Sequence, residues 1–292
     1  IRVRGLDAYA FRDGLPLGLP FGAPREEIYA FDSIEILKGA NSSGFGLSAP
    51  GGLINYVTKR PRSDTFGEVY VTGGSFDHKE IGFDTGANIT ADDTLSFRVT
   101  GKLQDAEKEY DYSNDDEKFI QGGLTWRPTE FTNLSVVYDH LYVDSVPGGG
   151  GHPIGFDFPR NRFFGEPDYN YRGTKRDTVS LFFDHDFDNG FSIASTARYS
   201  NTESDFGYAY ISRSPAAGST IANRSFFGND SGSEVFVMDA HGLYEANIGN
   251  VKSRTLAGVE YRDATGDNDA LFGAAPSIDV RNPFYTGAPA SV

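Results

Sequence analysis

The chain has 292 residues, no cysteine and a formal net charge of −15. The missing cysteine excludes a disulfide framework and a thiolate metal site, and the negative charge argues against a surface for nucleic-acid phosphates. No run approaches the ~18 apolar residues of a membrane-spanning helix, which excludes a helical membrane protein but not a barrel.

In chain order, residues 1–61 read as short strands and turns. Ile1 to Gly5 is strand-like, Ala8 to Phe11 is a second strand, Arg12-Asp13-Gly14 is a turn, and Leu15 to Pro24 is a loop rich in Pro and Gly. With no signal peptide and a strand-like opening, the sequence reads as an internal piece of a longer one. Ser33 to Pro61 is the stretch around which the chain is organised: a short buried strand (Ile34, Ile36, Leu37), a loop rich in Gly and Ser, and a strand centred on Leu53 to Val57. Pro50-Gly51-Gly52 forces a tight turn before that strand, because glycine reaches positive φ without steric cost.

From Thr65 the pattern changes to long alternating strands. In Thr94 to Gln104, Leu95, Phe97, Val99 and Leu103 share one face, while Ser96, Arg98, Thr100 and Lys102 share the other. Arg98 or Lys102 turned to lipid near the midplane would cost about 2–4 kcal/mol each, which assigns the apolar face to the outside. The same alternation gives about nine strands: 66–75, 79–89, 94–106, 117–127, 132–144, 174–187, 191–203, 233–246 and 252–263. Tyr70, Trp126, Tyr142, Phe187, Tyr199, Tyr244 and Tyr261 stand near strand ends, as an interfacial aromatic girdle would. Short connections alternate with the longer ones 107–116, 145–173, 204–232 and 264 onward, with the short first outer connection Phe76-Asp77-His78 as the exception; this is the signature of an outer-membrane barrel. The expected fold is therefore all-β: part of a transmembrane antiparallel barrel preceded by a small unit of short strands and turns. Nine strands do not close a single-chain barrel.

The text from Ser33 to Pro61 resembles the plug domain of TonB-dependent outer-membrane receptors, nearest the ferric-siderophore (ferrichrome-like) group. The residues that carry it are Glu35-Ile36-Leu37-Lys38-Gly39, Phe45-Gly46, and Pro50-Gly51-Gly52-Leu53-Ile54-Asn55-Tyr56-Val57-Thr58-Lys59-Arg60-Pro61. Val3-Arg4-Gly5-Leu6 and Arg12-Asp13-Gly14-Leu15 extend the resemblance toward the start. It implies an α+β plug over residues 1–61 and the first strands of a 22-stranded barrel over residues 62–292. It also implies a bacterial outer-membrane location, a monomer without enzymatic activity or resident cofactor, and import of a ferric siderophore. The energising partner would be a TonB–ExbB–ExbD complex acting through a segment outside this sequence. Haem, cobalamin or a sugar is the alternative cargo. A passive porin or surface-interaction barrel is a more distant alternative, since it would need no plug.

In such receptors the ligand lies between the plug apex and the outer loops. Tyr9 and Phe21 are the plug candidates, since an aromatic offers a rigid face with little entropy to lose. Phe156, Arg160 and Tyr171 in the 145–173 connection, and Tyr208 and Tyr210 after 204, are the loop candidates. Arginines among aromatics suit a bulky, partly apolar metal complex. The bland reading is that these loops fold over and pack on one another, which would use at least half of their aromatics and arginines. Arg4 and Lys38 match the family's two plug cations that pair with barrel glutamates, although Lys38 lacks the usual guanidinium fork. The five histidines show no metal-ligand spacing, and Asp263, Asp267 and Asp269 lack the bidentate Glu of a calcium loop.

Overall fold

The structure is a computed structural model that describes residues 2–17, 26–39 and 49–287. Its first part contains β1 (Arg2–Val3), β2 (Leu6–Asp7), β3 (Tyr9–Arg12), β4 (Leu15–Pro16), a 3-10 turn (Ile28–Ala30), β5 (Phe31–Lys38) and β6 (Gly52–Thr58). β1 and β2 pair alone; the others form a four-stranded sheet in the order β4-β3-β6-β5, with β3 and β6 parallel. No α-helix occurs among the described residues, so the helical share of the expected α+β plug is here only a 3-10 turn.

Glycine is required where the sequence places its tight turn. Gly52 sits at φ +106°, and a Cβ there would lie 1.9 Å from the Leu37 carbonyl oxygen. β5 departs from expectation: Ile34 and Ile36 are exposed and Leu37 only half-buried. It forms the edge of the small sheet, and Phe31 is its one buried apolar residue.

The second part is a nine-stranded antiparallel meander of β7 (Phe66–Gly73), β8 (Lys79–Asn88), β9 (Leu95–Asp105), β10 (Asp115–Thr129), β11 (Thr132–Ser145), β12 (Tyr171–Asp186), β13 (Phe191–Arg213), β14 (Ile221–Ile248) and β15 (Val251–Asp279). Residues directly opposite in antiparallel strands share a face, so the register defines rows. One row runs Ala87–Phe97–Leu124–Val136–Leu181–Ala197–Met238–Tyr261 across eight strands, an unbroken apolar band. On the opposite face Ser96, Arg98, Thr100 and Lys102 are buried, as are Gln121, Thr125, Asp139, Arg176 and Arg198. Polar side chains are inside and apolar ones outside, the inverse of a water-soluble sandwich and the pattern of a lipid-facing wall.

Two expectations are corrected. The loops drawn at 204–232 and after 264 are mostly strand: β13 continues to Arg213, β14 begins at Ile221 and β15 runs to Asp279. A tilted strand of about 9–11 residues crosses the hydrocarbon layer, so strands of 23, 28 and 29 residues stand well clear of it. Tyr70 is the other case. Its chain neighbours Val69 and Val71 take the outer face, and its ring turns inward, edge-on to Tyr29 at 5.1 Å.

Candidate functional site

The small sheet is held against the inner face of the large one by buried polar contacts. Arg12, at the end of β3, is fully buried; its Nη2 lies 2.5 Å from Asp139 on β11 and its Nη1 3.5 Å from Glu26. Glu26 in turn receives Arg176 of β12 at 2.7 Å. Glu27 accepts from Lys102 of β9 at 2.7 Å, and Lys102 lies 2.8 Å from Glu117 of β10. Arg98 of β9 forks onto Asp84 of β8 at 2.9 and 2.7 Å and reaches Asp32 at 3.0 Å. Arg198 of β13 donates to the backbone oxygens of Arg12 at 3.1 Å and Pro16 at 2.5 Å.

The Thr58-Lys59-Arg60-Pro61 text is the seam between the two sheets. The Lys59 ammonium pairs with Asp84 at 2.9 Å and sits 3.7 Å over the Tyr29 ring. Its carbonyl accepts from Gln121 at 2.8 Å. The Arg60 carbonyl accepts from Arg98, and the Pro61 carbonyl from Arg127 and Thr125. With three reversals (Arg12 to Asp139, Lys59 to Asp84, Tyr29 to Glu68), the wall supplies donors and the small sheet supplies acceptors. Strands β8 to β13 all reach this one small unit, although five strand spacings of ~4.8 Å separate them in a flat sheet. The wall therefore curves around it.

Above this seam lies an aromatic row. Arg198 fixes the inner parity of β13, and the register with β14 runs without irregularity from Phe191 to Ile211. Stepping by two puts Phe206, Tyr208 and Tyr210 on the inner face, with Phe227 and Phe272 beside them on β14 and β15. Tyr208 and Tyr210 stack at 5.4 Å and 14°. Phe206 meets Phe227 at 5.6 Å, and Phe227 meets Phe272 at 4.7 Å. Arg172 of β12 lies 5.3 Å from the Phe206 ring centre. Burial holds the Tyr208 phenol above its usual range, so it stays neutral and can donate.

The other sequence candidates are scattered. Phe156 packs against the buried cluster of Phe164, Ala222, Ile278 and Val280. Arg160 is exposed in the 146–170 connection, and Tyr9 is half-exposed at the start of β3. Tyr171 faces Gly207, one position out of phase with Phe206, and so lies on the face opposite the aromatic row. Arg4 is exposed in a turn at φ +53° and Lys38 is exposed at the end of β5; among the described residues neither joins an ion pair. Phe21 lies outside the described residues.

Much of the outer-loop chemistry is structural. Arg224 is buried against Glu166 at 2.5 Å and donates to the carbonyls of Phe164, Gly165 and Pro276. Glu166 also accepts from the Thr286 and Gly287 amides. The Asn170 side chain bonds both the N–H and the C=O of Ala209, continuing the ladder beyond β12. Sequence reading missed Arg12, Glu26 and Glu27 as plug anchors, and Phe227 and Phe272 as wall aromatics. The alternation of Phe227, Asn229, Ser231, Ser233 and Val235 is a strand signal, hidden by intervening glycines.

A curved wall, apolar outside and polar within, holding a small sheet in its hollow, defines an outer-membrane β-barrel with an internal plug. Comparisons with known proteins give the same class. No family model matches the chain. Over 272 residues it is 27% identical to the ferrioxamine B receptor of Salmonella typhimurium, covering 88% of this chain and 38% of that receptor. Over 289 residues it is 25% identical to the ferrichrome outer membrane transporter and phage receptor of Escherichia coli, again 88% of this chain and 38% of the relative. The chain thus spans about 38% of the length of these relatives. The open form of the ferric-catecholate import receptor Fiu from E. coli superposes with a TM-score of 0.84 at 18% identity, covering 97% of this chain and 46% of that one. That likeness shows the fold. The resemblance to TonB-dependent siderophore receptors, drawn from the plug text, holds over most of the chain. It is an outer-membrane chain whose relatives are receptors and transporters rather than enzymes.

Proposed function

We propose that this chain forms the plug (residues 1–61) and the first barrel strands (62–292) of a monomeric TonB-dependent importer of ferric siderophores. The observation that carries this reading is the aromatic row of Phe206, Tyr208, Tyr210, Phe227 and Phe272 on the inner face, above a plug anchored by buried ion pairs. Rigid aromatic faces hold a bulky, partly apolar complex at small entropic cost. Tyr9, Phe21 and Arg160 would complete the chamber from the plug and the 146–170 connection, while Phe156 is spent on packing that connection. Tyr208 and Tyr210 serve in this chamber, and Tyr171 does not. An energising TonB–ExbB–ExbD complex would rearrange the plug through a segment outside this sequence. No bond in the cargo is made or broken.

The test is growth of an iron-starved, receptor-deleted Gram-negative strain carrying the whole receptor gene, across a panel of siderophores. Rescue by at least one chelate is expected; rescue on haem or cobalamin alone would replace the cargo. Tyr208→Ala should weaken chelate binding about 2–10-fold at unchanged expression, the worth of one aromatic contact. Unchanged affinity would remove the row from the site.

A further inference from the structure

The β12–β15 wall above the apolar band carries opposite chemistry on its two faces. Stepping by two from Arg198, the inner face presents Thr202, Ser204, Ser231, Ser233, Asn229 and Asn268 below and among the aromatic row. Arg176, in the Thr202 row, is bound to Glu26, and the one charged group above that row up to Tyr210 is Arg172, already engaged over Phe206. Glu203, Asp205, Asp230, Glu234, Asp267 and Asp269 all fall on the outer face of the same strands. In a chain of net charge −15, the carboxylates of these strands are sorted away from the inner face.

We propose that this face-sorting makes the chamber select chelates by charge, accepting metal complexes with no net negative charge and rejecting anionic ones. The inference rests on the function proposed above and narrows its substrate class. An amide- or hydroxamate-decorated complex meets hydroxyls, side-chain amides and aromatic faces that replace its water without uncompensated charge. On this wall an anionic complex meets a single guanidinium, and an anion left without a hydrogen-bonded partner in a dry site is costly. The net field of the molecule also opposes its approach.

A charge series on one scaffold tests this. The receptor carrying this chain, in detergent at low salt, is titrated with ferric desferrioxamine B whose free amine is acetylated (uncharged), unmodified (cationic) or succinylated (anionic). The succinylated complex should bind about tenfold weaker than the acetylated one or worse. The gap should shrink as salt rises. Ser231→Lys on the inner face should narrow the gap, while Asp230→Asn on the outer face should leave it unchanged. Equal affinity across the three complexes, or tighter binding of the anionic one, overturns the charge rule and leaves the importer reading standing. Binding of none of them, together with no growth rescue by any siderophore, overturns both.

Discussion

Arg12 illustrates how one side chain decides whether the plug is seated. It is buried beyond water's reach, and Asp139 is its near partner at 2.5 Å. Asp139→Ala should cost about 3–5 kcal/mol, because it strands a buried guanidinium rather than merely removing an attraction. Denaturant melts of plug release, followed by protease access to Lys59 and Arg60, would read this; a loss below about 1 kcal/mol would mean water or Glu26 compensates. Gly52→Ala probes a different cause. Positive φ and the 1.9 Å approach to the Leu37 oxygen should cost at least about 1–3 kcal/mol in the same melts. The glycine was legible from Pro50-Gly51-Gly52, because backbone sterics are local. Arg12 was not: its text reads as a turn, and its partner lies 127 residues away. Glu26 and Glu27 escaped for the same reason, since nothing beside them signals a cation reaching in from another strand.

At the scale of the strand, period-two alternation located all nine barrel strands and the direction each face takes. It failed where lipid ceases to constrain the outer face. Beyond the apolar band the outer face of β13–β15 carries Glu203, Asp205, Asp230 and Glu234 and then the buried Ala209, Ala222 and Phe226, so the alternation fades although the ladder continues. Tyr70 misled for the opposite reason: its position near a strand end suits an interface, but its phase belongs to the lumen, where it hydrogen-bonds Glu80 at 2.7 Å. The wall's orientation can be tested at Leu124, which sits in the apolar row between Phe97 and Val136. Leu124→Arg should lower the stability of the barrel folded into lipid by about 2–4 kcal/mol. A heat-modifiability gel across a urea series would reveal the change, and an unaffected midpoint would place that face away from lipid.

For the whole molecule, the arrangement was legible chiefly because the Ser33–Pro61 text is long and specific. The part that remained hidden is the way the wall and its stopper divide their chemistry. Several of the stopper's acceptors are main-chain oxygens, those of Arg12, Pro16, Lys59, Arg60 and Pro61. Such groups take up no proton in the range that neutralises carboxylates, and no single side-chain substitution deletes them. Breaking the side-chain ion pairs would therefore loosen only part of the grip. Moving the stopper would call for force along the chain, enough to part main-chain bonds as well as charged pairs.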